Sequence, residues 1–153
     1  MKTNLKRFLD ESKCHLAISL HNPIPEQRLA MMPVEKSMPI KSIIEMLQEY
    51  DWSHQRRLSF EYVIFNSEND SLSYARELAK LLSPLDCRIN LIRFHAIPTS
   101  NLRPSSHENM VKFRDFLTAR GFICTIRASR GEDIDAACGM LSTEEIWYLK
   151  SEK

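Results

Sequence analysis

The stretch Arg57-Leu58-Ser59-Phe60-Glu61-Tyr62-Val63-Ile64-Phe65 decides the fold. It is rich in aromatic and β-branched residues and apolar on both faces except at Ser59 and Glu61, the composition of a strand buried in a parallel sheet. Parallel neighbours need long crossover connections, and the sequence on either side has helical patterns to supply them.

Downstream, residues 66–70 form a polar loop, and a helix from Ser71 carries Leu72, Ala75, Leu78, Ala79 and Leu82 on one side until Pro84 closes it. Residues 87–94 give the next strand. The loop 95–104 holds two prolines, and Ser105 or Ser106 can cap a helix with Met110, Phe113 and Leu117 on its apolar face. Gly121 stands where such a helix ends, and residues 122–127 give another strand. The tail after Ser142, with Trp147 and Tyr148, can add a short helix.

Upstream, Ile40, Ile43, Ile44 and Leu47 recur at helical spacing, and Pro39 suits the first turn of that helix. A short helix at 26–31 is stopped by Pro33. Residues 15–20 read as a strand with Leu16, Ile18 and Leu20 on one face and Ala17, Ser19 and His21 on the other, ended by Asn22-Pro23-Ile24-Pro25. Residues 4–12 look like the tail of a helix. The order β-α-β-α-β-α-β, with right-handed crossovers, implies an α/β domain of parallel strands with helices outside. Four such units make half a TIM-like barrel, and no linker divides residues 1–153 into two domains. The outermost strands of a half-barrel leave backbone groups unpaired, so self-association as a homodimer or by domain swapping is expected.

Composition excludes several functions. The 153 residues include 43% hydrophobic and 27% charged residues, enough for a substantial core. Twenty-one basic against twenty acidic side chains give a net charge of +1, so any RNA contact must be local rather than the effect of a global field. The three glycines, Gly121, Gly131 and Gly139, form no glycine-rich phosphate loop, which excludes Rossmann and P-loop nucleotide sites. Cys14, Cys87, Cys124 and Cys138 are far apart and make no C-x-x-C pair, so no metal site is expected within this chain and the thiols are read as reduced. Asp10 and Glu11 interrupt any signal-like apolar run, no stretch has transmembrane length, and a cytoplasmic location is expected.

The strands also carry polar residues in otherwise buried runs: Ser19 with His21, then Glu61, then Asn90, with Arg127 ending the fourth. Polar groups directed into a sheet cost free energy unless they bond a ligand or one another, and both outcomes are open. In barrel folds such sites lie at the C-terminal strand ends, where His21, His95 and the segment from Arg127 to Cys138 would gather. The Cys138 thiol sits among the small residues Ala136, Ala137 and Gly139, beyond the last strand and near Arg127 and Arg130, a setting that favours reactivity. Cys14, Cys87 and Cys124 fall at or inside strands, where packing disfavours the thiolate. Arg93, Arg103, Arg127 and Arg130 are scattered and read as solvated or paired surface groups.

Several runs then act together: Ser19-Leu20-His21, Phe60-Glu61-Tyr62-Val63, Asn69-Asp70-Ser71, Ile89-Asn90-Leu91-Ile92, and Arg130-Gly131-Glu132-Asp133-Ile134-Asp135-Ala136-Ala137-Cys138-Gly139. They resemble the radical S-adenosylmethionine rRNA adenine methyltransferases, the RlmN and Cfr family, over the later half of the catalytic barrel. The resemblance implies that Ser19, Leu20, His21 and Asn90 bind S-adenosyl-L-methionine and that Cys138 is the S-methylcysteine intermediate. It further implies a 4Fe-4S cluster, adenine-C2 methylation of 23S rRNA and tRNA, and C8 methylation as the Cfr-like alternative. The C-x-x-x-C-x-x-C motif that holds the family's cluster is absent from these residues, and so are the resolving cysteine and the Gly-Glu cofactor segment. The cluster ligands are therefore expected in a missing N-terminal part, and this chain alone is expected to be inactive. Arg93-Phe94-His95-Ala96-Ile97-Pro98 also departs from the commoner Pro-Phe-Asn-Pro-like form. A competing expectation is a non-catalytic α/β module that binds RNA or a partner chain.

Overall fold

Four parallel strands lie side by side in chain order in the computed structural model, which describes residues 2–127. Helix α1 (Lys2–Glu11) leads into β1 (Leu16–Ser19), followed by α2 (Pro25–Met31), a 3-10 turn (Pro33–Lys36) and α3 (Ile40–Leu47). Then come β2 (Leu58–Ile64), α4 (Leu72–Leu82), β3 (Arg88–Arg93), α5 (His107–Thr118) and β4 (Ile123–Arg127). Each strand pairs in parallel with the next. With sequential order, crossovers of one hand put every connecting helix on the same side of the sheet.

The burial pattern agrees. Leu58, Phe60, Tyr62 and Ile64 of β2, with Ile89 and Leu91 of β3 and Cys124 of β4, are buried in one core with Ile40, Ile43, Ile44 and Leu47 of α3. Ala75, Leu78, Ala79 and Leu82 of α4 and Met110, Phe113 and Leu117 of α5 complete it. Tyr62 and Phe113 meet with ring centroids 5.3 Å apart. Leu72, placed by its spacing on the same stripe, is instead 45% exposed, because α4 begins to meet the core only at Ala75. β2 likewise departs from a strand buried on both faces: Ser59, Glu61 and Val63 are only partly covered, since among the described residues the helices lie on one side.

Local chemistry closes the elements. Ser106, rather than Ser105, caps α5 by accepting from the Asn109 amide at 3.2 Å, while the Ser105 hydroxyl donates to Asp70 at 2.7 Å. Gly121 takes φ +90°, which lets the Phe122 amide reach Leu117 O at 3.2 Å and the Gly121 amide reach Thr118 O at 3.0 Å. Pro39 lies just before α3, and the first amide of that helix, Ile40 N, donates to the Glu35 carboxylate at 3.0 Å.

Glu35 is also the partner of Arg28, and both side chains are almost fully buried. The Arg28 guanidinium donates to Glu35 and to two backbone carbonyls, Leu20 O at 3.1 Å and Ser19 O at 3.0 Å. One ion pair thereby ties the end of β1 to the start of α3. Removing one partner of such a pair leaves an uncompensated buried charge, typically at about 3–5 kcal/mol. Glu35→Ala is expected to lower the urea unfolding free energy of the chain by about that amount, and Glu35→Gln, which keeps an acceptor, by less. Equal, small losses for both substitutions would show that the pair does not hold this corner.

Candidate functional site

Strand register gathers the polar residues into one line. Ser19 pairs with Glu61, Glu61 with Asn90, and Asn90 with Thr125, so the four stand in a row across the sheet. The row lies on the face turned away from the helices. Asn90 Nδ2 donates to Glu61 Oε1 at 2.8 Å, and Thr125 Oγ1 donates to Asn90 Oδ1 at 2.9 Å, which fixes the orientation of the amide. Glu61 and Asn90 therefore do satisfy one another, but only in part: Glu61 Oε2 is shielded from solvent without a hydrogen-bond partner, with Arg127 Nη1 at 3.9 Å. A carboxylate oxygen in that state is an acceptor in need of a donor. Ser19 is exposed at the end of the row and takes no part in these bonds.

The corner after β1 is held from three sides. Arg28 binds the carbonyls of Ser19 and Leu20, and Asn69, fully buried, donates to His21 O at 2.7 Å and to Val63 O at 2.8 Å. Asn69 Oδ1 accepts from the Phe65 amide at 2.7 Å, and its own carbonyl accepts from Tyr62 OH at 2.8 Å. Leu20 is completely buried in the core, so only its backbone is available to a ligand. His21 has φ +59°, in the left-handed region that few non-glycine residues adopt, and its Nδ1 accepts from the Val63 amide at 3.0 Å. Burial, with the Arg28 charge as a smaller contribution, pushes the imidazole down to about 4. His21 is therefore neutral at physiological pH.

His95 follows the C-terminal end of β3 and is half-buried. Arg93 contacts His107 Nδ1 at 3.1 Å, away from the row. Burial is the main cause that pushes the Cys87 and Cys124 thiols up to about 12, as expected for packed cysteines. Cys14 departs from that expectation and is exposed, because it lies in the turn before β1 rather than on it. Cys138 lies outside the described residues. Among the described residues no group of three or more His, Cys, Asp and Glu side chains is placed to hold a metal ion. No described helix is long and apolar enough to cross a membrane.

Sequence reasoning missed Thr125, Arg28, Glu35 and Asn69 as parts of this site. Thr125 was signalled by its place two residues before Arg127 on the same face of β4. Arg28 and Glu35 sit in short segments where no periodicity separates them from surface residues.

No family model matches the chain. Among curated proteins it is 61% identical over 139 residues to a "Probable dual-specificity RNA methyltransferase RlmN" of Parabacteroides distasonis, covering 91% of this chain and 40% of the relative. The protein of the same name in Phocaeicola vulgatus is 62% identical, covering 94% and 41%, and the "Dual-specificity RNA methyltransferase RlmN" of Campylobacter lari is 42% identical, covering 85% and 36%. The chain thus spans about two fifths of the length of the relatives it matches. A radical SAM methyltransferase from Sphaerobacter thermophilus superposes with a TM-score of 0.85 at 38% identity, over 92% of this chain and 41% of that one. A domain of a pyruvate-formate lyase-activating enzyme from Bacteroides vulgatus shares the fold, with a TM-score of 0.66 at 18% identity.

The depressed His21 value has a consequence for stability. Between about pH 4 and 6.5 the unfolded imidazole binds a proton that the folded one does not, so the folded state is fully favoured above 6.5 and loses stability as pH falls towards 4. The urea midpoint is expected to drop across this window more steeply in the parent chain than in His21→Asn. Identical slopes would place the His21 titration at its ordinary value.

Proposed function

We propose, from the premise that over nine-tenths of its length this chain matches sections of dual-specificity RNA methyltransferases named RlmN and of a radical SAM methyltransferase, that it forms part of an RNA adenine-C2 methyltransferase acting on 23S rRNA and tRNA. The observation that carries this reading is the clamped Ser19-Leu20-His21 corner beside the Glu61–Asn90–Thr125 row, on a sheet of this fold. Its polar groups suit S-adenosylmethionine. Glu61 Oε2 lacks a hydrogen donor and stands as an acceptor and negative charge for the ligand's hydroxyl or cationic groups, while the neutral His21 ring supports hydrogen bonding without charge. When bound, the cofactor supplies the methyl group.

The described cysteines do not fit a 4Fe-4S cluster, since Cys87 and Cys124 are buried as neutral thiols in the core and Cys14 is remote in sequence from both. In this reading the cluster is held by the part of the relatives' length that this chain does not span. The role proposed for Cys138 is nucleophilic. Its thiolate would accept the methyl group that the bound cofactor supplies. Positioning by Arg28 and Asn69 keeps the corner fixed while this happens, so little ordering is left to the binding step.

The test is a chimera joining this chain to the remaining length of the Parabacteroides distasonis relative. Peptide mass spectrometry is expected to find an S-methyl group on Cys138, and Cys138→Ala is expected to abolish 2-methyladenosine formation in rRNA and tRNA. Methylation of another cysteine would remove Cys138 from the mechanism, an 8-methyladenosine product would favour the Cfr-like alternative, and no methylation of any RNA would favour a non-catalytic module. The chain by itself is expected to self-associate, because β1 and β4 are open sheet edges among the described residues. A stable monomer at high concentration in light scattering would contradict that.

A further inference from the structure

The tautomer of His21 is determined by its neighbour. A backbone amide can only donate, so the Val63 N–H at 3.0 Å from Nδ1 requires a lone pair there, and the single proton of the neutral ring must sit on Nε2. Nε2 makes no hydrogen bond to any described residue, and His21 as a whole is half-buried. The backbone that carries the ring is held as well, since the Asn69 side chain donates to the His21 carbonyl at 2.7 Å and φ is +59°.

We propose that His21 is a single-tautomer, uncharged hydrogen-bond donor, fixed by the Val63 amide, whose Nε2–H addresses an acceptor atom of the ligand bound at the C-terminal end of the sheet. The assignment rests on the reading of that end as the S-adenosylmethionine site and adds to it the polarity of one contact. The ligand atom opposite His21 is an oxygen or ring nitrogen with a lone pair, not the sulfonium or the ammonium group. Val63 contributes through its backbone alone and acts as a positioning group. A ring free to change tautomer would accept as readily as it donates and would not select between the two polarities of ligand atom. Among the described residues the site is then complementary to its ligand in two directions: a carboxylate oxygen on β2 that no hydrogen bond satisfies, and a ring N–H with no described acceptor one rung further along.

Two measurements test this. Long-range proton–nitrogen correlation spectra of the 153-residue chain are expected to show a protonated Nε2 and an unprotonated Nδ1 for His21 at neutral pH. A proton on Nδ1, or a mixture of tautomers, would overturn the proposal whatever the protein does. In the chimera described above, titrated with S-adenosylmethionine, His21→Gln places an amide donor near the Nε2 position, whereas His21→Asn keeps a side-chain acceptor near the Nδ1 position and a residue tolerant of positive φ. Binding is expected to survive within about threefold in the glutamine variant and to weaken at least about tenfold in the asparagine variant, roughly the worth of one hydrogen bond. Equal affinities of the asparagine variant and the parent would overturn the donor role. A parent chimera that does not bind S-adenosylmethionine would instead refute the reading of the site, and the spectra would then decide the donor on their own.

Discussion

The end of β1 is the constraint on which the rest of this structure depends. The chain leaves the sheet there with three carbonyl oxygens, those of Ser19, Leu20 and His21, held by no α-helix. Buried carbonyls left unpaired would cost more than most single contacts return. Arg28 takes two of them, sharing Leu20 O with the Asn22 amide, and Asn69 takes the third, each from a segment outside the strands. Because Glu35 neutralises Arg28 and also caps α3, the same corner sets where the crossover to β2 begins. Asn69 reaches in from the loop that follows β2, so the loops after β1 and β2 are one hydrogen-bonded unit.

That unit fixes the backbone beside the polar row, which lies on the face of the sheet turned from the described helices. Helices cover one side of the sheet and pack an apolar cluster against it. On the other side the parallel register aligns every second residue, so a single polar residue per strand becomes a continuous row from Ser19 to Thr125. Within the row Asn90 is oriented by bonds to both neighbours, leaving Glu61 Oε2 as the group whose hydrogen bonding is incomplete. A neutral His21 one rung further on adds polarity without a second charge.

Much of this was legible residue by residue. Alternation in residues 15–20 assigned Leu16, Ile18 and Leu20 to one face and Ser19 and His21 to the other, and the helical spacing of Ile40, Ile43, Ile44 and Leu47 named a buried stripe correctly. These readings succeed because periodicity is a local property that any covering layer exploits. Leu72 fits its stripe and is nevertheless exposed, since spacing cannot say where along a helix contact with the core begins. Cys14 reads as lying at the edge of a strand over 15–20, whereas the strand begins at Leu16, a boundary that only backbone pairing settles.

The sequence by itself determined the alternation of strands and helices, their parallel arrangement, the faces of the strands, and the resemblance that points to S-adenosylmethionine and to Cys138. Each of these follows from local pattern or from short runs of residues. Only the tertiary structure decided that Ser19, Glu61, Asn90 and Thr125 form one row, that Arg28, Glu35 and Asn69 are buried, and that Val63 fixes the proton on His21. The physical reason is common to all three. They depend on register and on contacts between segments up to dozens of residues apart, and an arginine or a histidine takes its charge and its partners from the neighbours that folding brings to it.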